Sequence, residues 1–135
     1  MLRRHLMSTQ ISSFMETNVI GVALDDSIEK VCQVLDDNKL CCVPVFSPDG
    51  AIFGVISASD LVHFSTQRAN PKLEHAWELC THRVIEVAPD ISIQQAAEIM
   101  SYEKIHHLIV TEGSACVGIV SASDVLSAFL KTEFI

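Results

Sequence analysis

The sequence is short of basic residues and has no long apolar run. Lysine and arginine together number nine, against 17 aspartate and glutamate residues, so the formal net charge is −8. A protein that binds nucleic acid needs a basic face to displace counterions, and we therefore expect no nucleic-acid partner. No apolar stretch approaches the ~20 residues that a membrane span requires, so we also expect no membrane partner.

The sequence also lacks the local motifs of enzymes and of disulfide-bonded proteins. It contains no Gly-rich phosphate loop, nucleophile elbow or metal-binding motif, so we predict that it is not an enzyme and requires no cofactor. The five cysteines are odd in number, form no C-x-x-C pair and follow no visible secretory leader, which predicts a reduced, cytoplasmic protein. No spacing supplies an activating base for Cys41 or Cys42, so a catalytic thiol is not predicted.

The composition that remains favours a packed domain. Hydrophobic residues make up 49% of the 135 residues and charged residues only 19%, which excludes a disordered chain. A chain of this length buries roughly two thirds of the surface that its unfolded form exposes, which is enough for a core.

An internal repeat is the strongest signal in the chain. Residues 54–60 (GVISASD) return as residues 118–124 (GIVSASD), with five of the seven positions identical. Each copy places a polar Ser-x-x-Asp turn directly after an apolar, strand-like run. One structural unit has therefore been used twice.

Aligning the two copies predicts the order α-β-α-β-β-α in each. The first strands are expected at residues 19–22 and 84–87, and amphipathic helices follow, N-capped by Ser27 and Ser92 and ending near Lys39 and Lys104. Two hairpins complete the pattern, and the turn of the first reads Ser-Pro-Asp-Gly. We predict one repeat at residues 8–66, a polar linker at 67–74 and a second repeat at 75–131.

The order of these motifs, found twice, resembles the CBS domain, and two such domains in tandem resemble a Bateman module. The resemblance implies an α+β fold in which two pseudo-symmetric repeats pack through their sheets. It covers about residues 8–131. The residues that carry it are Val43, Pro44, Val45, Asp49, Gly50, Gly54, Val55, Ile56, Ser57 and Asp60 in the first copy, and His107, Leu108, Ile109, Val110, Gly118, Ile119, Val120, Ser121 and Asp124 in the second.

The resemblance also implies a function, a regulatory module that binds AMP, ADP, ATP or S-adenosylmethionine in a cleft that both repeats line. The aspartates of the two turns would hold ribose hydroxyls, the serines and helix N-termini would face phosphate, and the segments before the first and second strands would clasp adenine. A homodimer and an unknown regulated protein are the implied partners. The expected ligand-binding residues are Asp60, Asp124, Ser57, Ser121, Thr17, Val19, Ile20, Val43, Pro44, Thr81, Arg83, Val84, Ile85, His107, Leu108 and Ile109.

Simpler interpretations of these residues stay open at this stage. Each Ser-x-x-Asp turn can serve only as a helix cap. His107 can be a packed or solvated imidazole, and it is not expected to share a metal ion with His106, because adjacent strand residues point to opposite faces. Arg83, Thr17 and Thr81 can be ordinary loop residues. Ile109 stands where the family usually has proline.

Three functions compete on the sequence alone. The first is a stand-alone nucleotide sensor, and the second is a ligand-free dimerisation or scaffold module. The third is part of an enzyme, because CBS pairs also occur inside dehydrogenases of purine synthesis. Such enzymes carry their chemistry on a barrel of ~250 residues, which this chain has no room to form.

Overall fold

The computed structural model describes residues 8–81 and 84–133. The chain folds into two compact units. The central unit runs from Ile20 to Val84, and the flanking unit combines the residues up to Val19 with those from Ile85 onward. Each unit contains one three-stranded sheet with helices, which confirms the predicted α+β class. Among the described residues, no helix is both long and apolar enough to cross a bilayer.

The central unit has its strands in the order β1-β2-β3. Strand β1 pairs with β2 in parallel, and β2 pairs with β3 in antiparallel fashion. The elements in chain order are β1 (Val22–Ala23), α1 (Ile28–Asn38), β2 (Cys42–Phe46), β3 (Ile52–Ser57), α2 (Ala58–Ser65) and α3 (Ala76–Leu79).

The flanking unit repeats this topology, with the order β4-β5-β6, one parallel pair and one antiparallel pair. It begins with a short 3₁₀ helix that precedes the central unit in the sequence. Its elements are the 3₁₀ helix Ile11–Ser13, β4 (Glu86–Val87), α4 (Ile93–Glu103), β5 (His107–Glu112), β6 (Ala115–Ser121) and α5 (Ala122–Glu133).

Each unit has its own hydrophobic core, on the face of the sheet that its amphipathic helix covers. In the central unit Val31 of α1 packs with Val43, Val45 and Ile56 of the sheet. In the flanking unit the equivalent core contains Ala96, Met100, Leu108, Val110 and Val120. Because strand side chains alternate, the residues between these positions belong to the opposite sheet face.

The helix boundaries follow the predicted caps. The Ser27 side chain accepts a hydrogen bond from the Lys30 N–H, and the Ser92 side chain accepts one from the Gln95 N–H. Helices α1 and α4 both end in a left-handed residue, Lys39 with φ 55° and Lys104 with φ 56°. The two lysines therefore end their helices through their backbone conformation, a role that the sequence pattern did not predict.

The predicted linker takes part in the central unit. The Glu74 carbonyl accepts from the Ile28 N–H at 2.9 Å, and the Pro71 carbonyl accepts from the Glu29 N–H at 3.0 Å. Both donors lie in the first turn of α1, where N–H groups have no partner within the helix. The polar linker therefore satisfies the start of a helix in addition to joining the repeats.

The first strand of each repeat is shorter than predicted. The expected strand 19–22 is found at Val22–Ala23, which extends one residue beyond the predicted end, and the expected strand 84–87 is reduced to Glu86–Val87. These residues form the parallel pairs with the neighbouring strands, Val22–Val45 and Val87–Val110 and the residue beside each.

The segments ahead of these strands pair with the closing strand of the opposite repeat. Glu16 forms two backbone hydrogen bonds with Ile119, each 3.0 Å long, and Thr81 forms two with Val55, also 3.0 Å each. The compact units consequently begin and end at other residues than the sequence repeats do. Local patterns alone do not carry this non-local pairing.

Candidate functional site

The Ser57–Asp60 turn lies where β3 passes into α2. Asp60 Oδ2 accepts hydrogen bonds from the Ser57 N–H at 2.8 Å and from the Ser57 hydroxyl at 2.9 Å. The Ser57 and Ser59 hydroxyl oxygens are 2.8 Å apart, and the Asp60 N–H donates to Ser57 Oγ over 3.4 Å. The turn is a capping box in which the Ser57 hydroxyl also donates a hydrogen bond to the Asp60 carboxylate.

The Ser121–Asp124 turn stands at the same place between β6 and α5. Asp124 Oδ2 accepts from the Ser121 N–H at 2.9 Å, and Ser121 Oγ accepts from the Asp124 N–H at 3.0 Å. Among residues 8–81 and 84–133, no acceptor takes the Ser121 hydroxyl proton. This turn therefore keeps a hydroxyl donor that its counterpart uses internally.

Both aspartates combine capping with spare binding capacity. Each carboxylate is half-buried and commits only Oδ2, so within the described part of the chain Oδ1 is left without a hydrogen bond. An ionised carboxylate accepts through both oxygens and suits the two hydroxyls of a ribose diol. The cap interpretation and the ligand interpretation are thus compatible at both turns.

The strand residues predicted to line the site divide between two faces. Val43 and Leu108 are fully buried in the two cores, so their side chains face away from Ser57 and Ser121, and they can reach a ligand only through their main chain. Pro44 and Ile109 alternate with them and lie on the same sheet face as the serines. Ile109 thus occupies the strand position of Pro44.

The segments predicted to contact adenine are divided between the central and the flanking unit. The central unit holds Ile20, Thr81 and Val84 together with the Asp60 turn. The flanking unit holds the others, Thr17, Val19 and Ile85, together with the Asp124 turn. The predicted ligand-binding residue Arg83 lies outside the described residues.

His107 is placed beside the second turn, directly opposite Ser121 in the antiparallel ladder. Burial lowers the pKa of its imidazole, the neighbouring His106 lowers it further, and the Asp124 carboxylate opposes both by raising it. The imidazole is therefore held neutral near pH 7. His106 is exposed and lies just before the first residue of β5.

Sequence reasoning missed two residues beside the first turn. Cys42 is buried opposite Ser57, and burial raises the pKa of its thiol to about 12, with a smaller contribution from Cys41. Cys80 is also buried, and the nearby Asp60 carboxylate adds to the burial that raises its pKa. A glycine within a strand, such as Gly54, indicates that another segment approaches closely without saying which one. In the structure a Cβ at Gly54 would come within 2.8 Å of the Cys80 sulfur and 2.5 Å of the Thr81 carbonyl oxygen.

A metal centre receives no support. Among the described residues, no three histidine, cysteine, aspartate or glutamate side chains come together as a metal site. All five cysteines are free thiols.

Comparison with known families and folds identifies the repeated unit. The CBS domain profile matches residues 11–66 and again residues 76–131. The CBS-domain protein ATU1752 from Agrobacterium tumefaciens superposes with a TM-score of 0.82 at 27% identity, covering 90% of this chain and 94% of that protein.

Two further solved structures share the fold and were determined with ligands. The CBS domain pair of protein MJ0100, in complex with 5′-methylthioadenosine and S-adenosyl-L-methionine, gives a TM-score of 0.83 at 23% identity, covering 91% of this chain and 97% of that one. The CBS domain of a bacterial CNNM/CorC family Mg²⁺ transporter, in complex with ATP, gives 0.84 at 18% identity, covering 96% and 92%.

The sequence relatives include much longer enzymes. Homoserine O-acetyltransferase from Methanosalsum zhilinae is 28% identical over 121 residues, which is 89% of this chain and 24% of that enzyme. Inosine-5′-monophosphate dehydrogenase from Halobacterium salinarum is 28% identical over 110 residues, 81% of this chain and 21% of that enzyme. The chain therefore spans less than a quarter of the length of these relatives.

Proposed function

Because this chain belongs to the CBS domain family and contains two such domains in tandem, we propose that it is a regulatory module that binds an adenosine compound. The candidate ligands are AMP, ADP, ATP and S-adenosylmethionine. Binding would favour one conformation of the module over another, and a partner protein would respond to that change. Such coupling requires the ligand to have different affinities for the two conformations.

The observation that carries this proposal is the pair of Ser-x-x-Asp turns. Each turn offers a half-buried carboxylate with one uncommitted oxygen at the start of a helix. The helix N-terminus adds N–H groups and a favourable dipole for an anion. A diol acceptor beside an anion-binding helix end suits a nucleotide, and two fold neighbours carry adenosine ligands.

We propose that each turn, together with the predicted residues of its own unit, forms one set of ligand contacts. At the first turn they are Asp60, Ser57, Pro44, Ile20, Thr81 and Val84, with Val43 contributing main-chain atoms. At the second they are Asp124, Ser121, His107, Ile109, Thr17, Val19 and Ile85, with Leu108 contributing main-chain atoms.

We further propose that the module binds its ligand without chemical turnover. The matched enzymes are about four times as long as the aligned segment, so their chemistry has ample room in residues that this chain does not align with. We attribute the similarity to CBS domains within those enzymes. A contrary result would be turnover of an adenosine compound by the purified protein.

A second candidate function, homodimerisation without a ligand, is favoured by the closing helices. Val62 of α2 is 67% exposed, and Leu126 at the equivalent position of α5 is 56% exposed. Two large apolar side chains kept exposed at matching positions suit an interface. Charging them with Val62→Glu and Leu126→Glu separates this function from ligand binding, since neither lies in the Ser-x-x-Asp turns.

The decisive experiment compares melting temperatures with AMP, ADP, ATP and S-adenosylmethionine. A ligand at about 100 times its dissociation constant stabilises the folded state by ~2.7 kcal/mol. We expect the Asp60→Asn, Asp124→Asn double variant to lose this stabilisation, and Asp37→Asn, an exposed aspartate outside both turns, to retain it. Stabilisation by none of the four compounds would contradict the sensor and leave the dimerisation module.

A further inference from the structure

The two turns differ at one position that faces the serine of each. His107 lies opposite Ser121 on β5, and Cys42 lies opposite Ser57 on β2. Residues directly opposite in an antiparallel pair have Cβ atoms about 4.5–5.5 Å apart and share a sheet face. An imidazole therefore stands beside one turn where a buried thiol stands beside the other.

We infer that His107 contacts the anionic end of the ligand at the Ser121–Asp124 turn and makes the binding of phosphate-bearing adenosine compounds tighten as the pH falls. The Ser57–Asp60 turn, with Cys42 in that place, gives no such response. This inference rests on the proposed function. It adds to it a preferred ligand class, a regulating variable and a difference between the two turns.

The groups around His107 couple the protonation of its ring to the binding of the ligand. The titratable groups that act on it are His106, the residue just before β5, and Asp124 on α5, and its burial disfavours the imidazolium. A phosphate placed beside the ring adds negative charge, which favours the imidazolium. The pKa of His107 is consequently higher in the complex than in the free protein.

The sign of the effect follows from that difference. Above the pKa of the complex the ring is neutral in both states, and proton binding contributes nothing to affinity. As the pH falls through the pKa of the complex, the complex takes up a proton before the free protein does, so affinity rises. The gain is complete below the pKa of the free protein. A ligand with no phosphate, such as 5′-methylthioadenosine, does not raise the pKa and gains nothing.

The first measurement is isothermal titration calorimetry with AMP, ATP and 5′-methylthioadenosine between about pH 5.5 and about pH 8. A phosphate monoester itself titrates with a pKa of about 6, so the quantity to compare is the ratio of wild-type to His107→Gln affinity at each pH. For AMP and ATP we expect this ratio to grow by up to about tenfold as the pH falls. For 5′-methylthioadenosine it stays constant.

Two controls and a second readout make the test specific. His63→Gln, at an exposed position on α2, should reproduce the wild-type pH profile. His106→Gln removes a group that lowers the pKa of His107, so the response should move to higher pH and persist. The NMR titration of the His107 ring should give a higher pKa with AMP than without it.

The outcomes separate this inference from the proposed function. A constant wild-type to His107→Gln ratio, or a His107 pKa that AMP leaves unchanged, overturns the inference while adenosine binding stands. Equal pH dependence for 5′-methylthioadenosine and AMP also overturns it. If no adenosine compound binds at any pH, the proposed function fails and the inference fails with it.

Discussion

The central and flanking units share a backbone plan and differ in the side chains placed on it. Both have a parallel pair, an antiparallel hairpin, a Ser-x-x-Asp turn and an edge segment bonded to the closing strand. Yet Cys42 corresponds to His107, Pro44 to Ile109 and Val31 to Ala96. Backbone hydrogen bonds and turn geometry constrain the shared features, whereas packing volume and polarity at single positions can vary. Changes made at matched positions therefore test how far the two units have diverged.

The largest difference is expected at the glycines beneath the edge segments. In Gly54→Ala the new Cβ meets the Thr81 carbonyl oxygen at 2.5 Å, a backbone atom that accepts a hydrogen bond from the Val55 N–H. In Gly118→Ala it meets the Met15 sulfur at 2.7 Å, the end of a flexible side chain. We expect losses of about 3 kcal/mol and about 1 kcal/mol in the free energy of unfolding, measured by urea denaturation.

Exposed Ser114→Ala in the second hairpin turn is the control for these two variants and should change stability little. Equal losses at the two glycines, or a greater loss at Gly118, would show that the edge segments are held alike and that the comparison above is wrong.

The next largest effect concerns core volume at Val31 and Ala96. Both are fully buried at equivalent positions of α1 and α4. Val31→Ala leaves a cavity and should cost about 2 kcal/mol, and Ala96→Val overfills its core and should cost about 1.5 kcal/mol. Urea denaturation of both variants checks this, with exposed Gln33→Ala on α1 as the control. Stabilisation by Ala96→Val would mean that the flanking core has unfilled space.

A smaller difference is expected in alkaline solution, through Cys42. Its pKa is about 12 in the folded state against 9.0 for an ordinary thiol, so the unfolded chain loses the proton first and stability falls as the pH rises above 9.0. At about pH 10 the loss is about 1 kcal/mol relative to about pH 8. His107 has the opposite sign: its lowered pKa lets the unfolded chain bind a proton first, so stability falls as the pH drops below 6.5.

The measurement is the difference in unfolding free energy between wild type and Cys42→Ala across the alkaline range, because other thiols titrate there in both proteins. Parallel curves for the two proteins would contradict the assigned role of Cys42.

The smallest difference is expected at the caps of the long helices. Ser92 and Gln95 exchange hydrogen bonds of 3.1 and 2.9 Å, whereas Ser27 only accepts one from Lys30. Ser92→Ala should cost about 1 kcal/mol and Ser27→Ala about 0.5 kcal/mol. Thermal unfolding of both variants and of Gln95→Ala tests this. A loss at Ser27 as great as that at Ser92 would mean that the reciprocal bond adds nothing.

Much of the fold was predictable because its signals are local. Spacing of apolar residues gave α1 and α4, serines gave their first residues, and the repeated GVISASD pattern gave the Ser-x-x-Asp turns. The lengths of β1 and β4 were wrong, because a parallel partner distant in sequence decides where pairing stops.

The candidate site was predictable in kind and less so in arrangement. Asp60 and Asp124 were singled out by repetition, and the structure half-buries their carboxylates, while their role as ligand contacts stays a prediction. Val43 and Leu108 point into the cores because the helix covers their face of the sheet. Alternation alone does not say which of two adjacent strand residues faces the helix. The placement of Thr17 with Asp124 and of Thr81 with Asp60 depends on long-range pairing, which the local sequence patterns do not specify.

The exchange of edge segments has a consequence for the ancestry of such a chain. A primordial gene that encoded one copy would produce a polypeptide whose leading segment had no closing strand of the opposite copy to join. Two identical polypeptides could supply each other's missing edge, so the earliest form would be an intertwined pair. Gene duplication would then have fused that pair, and severing today's chain between residues 66 and 75 should regenerate halves that recombine with one another.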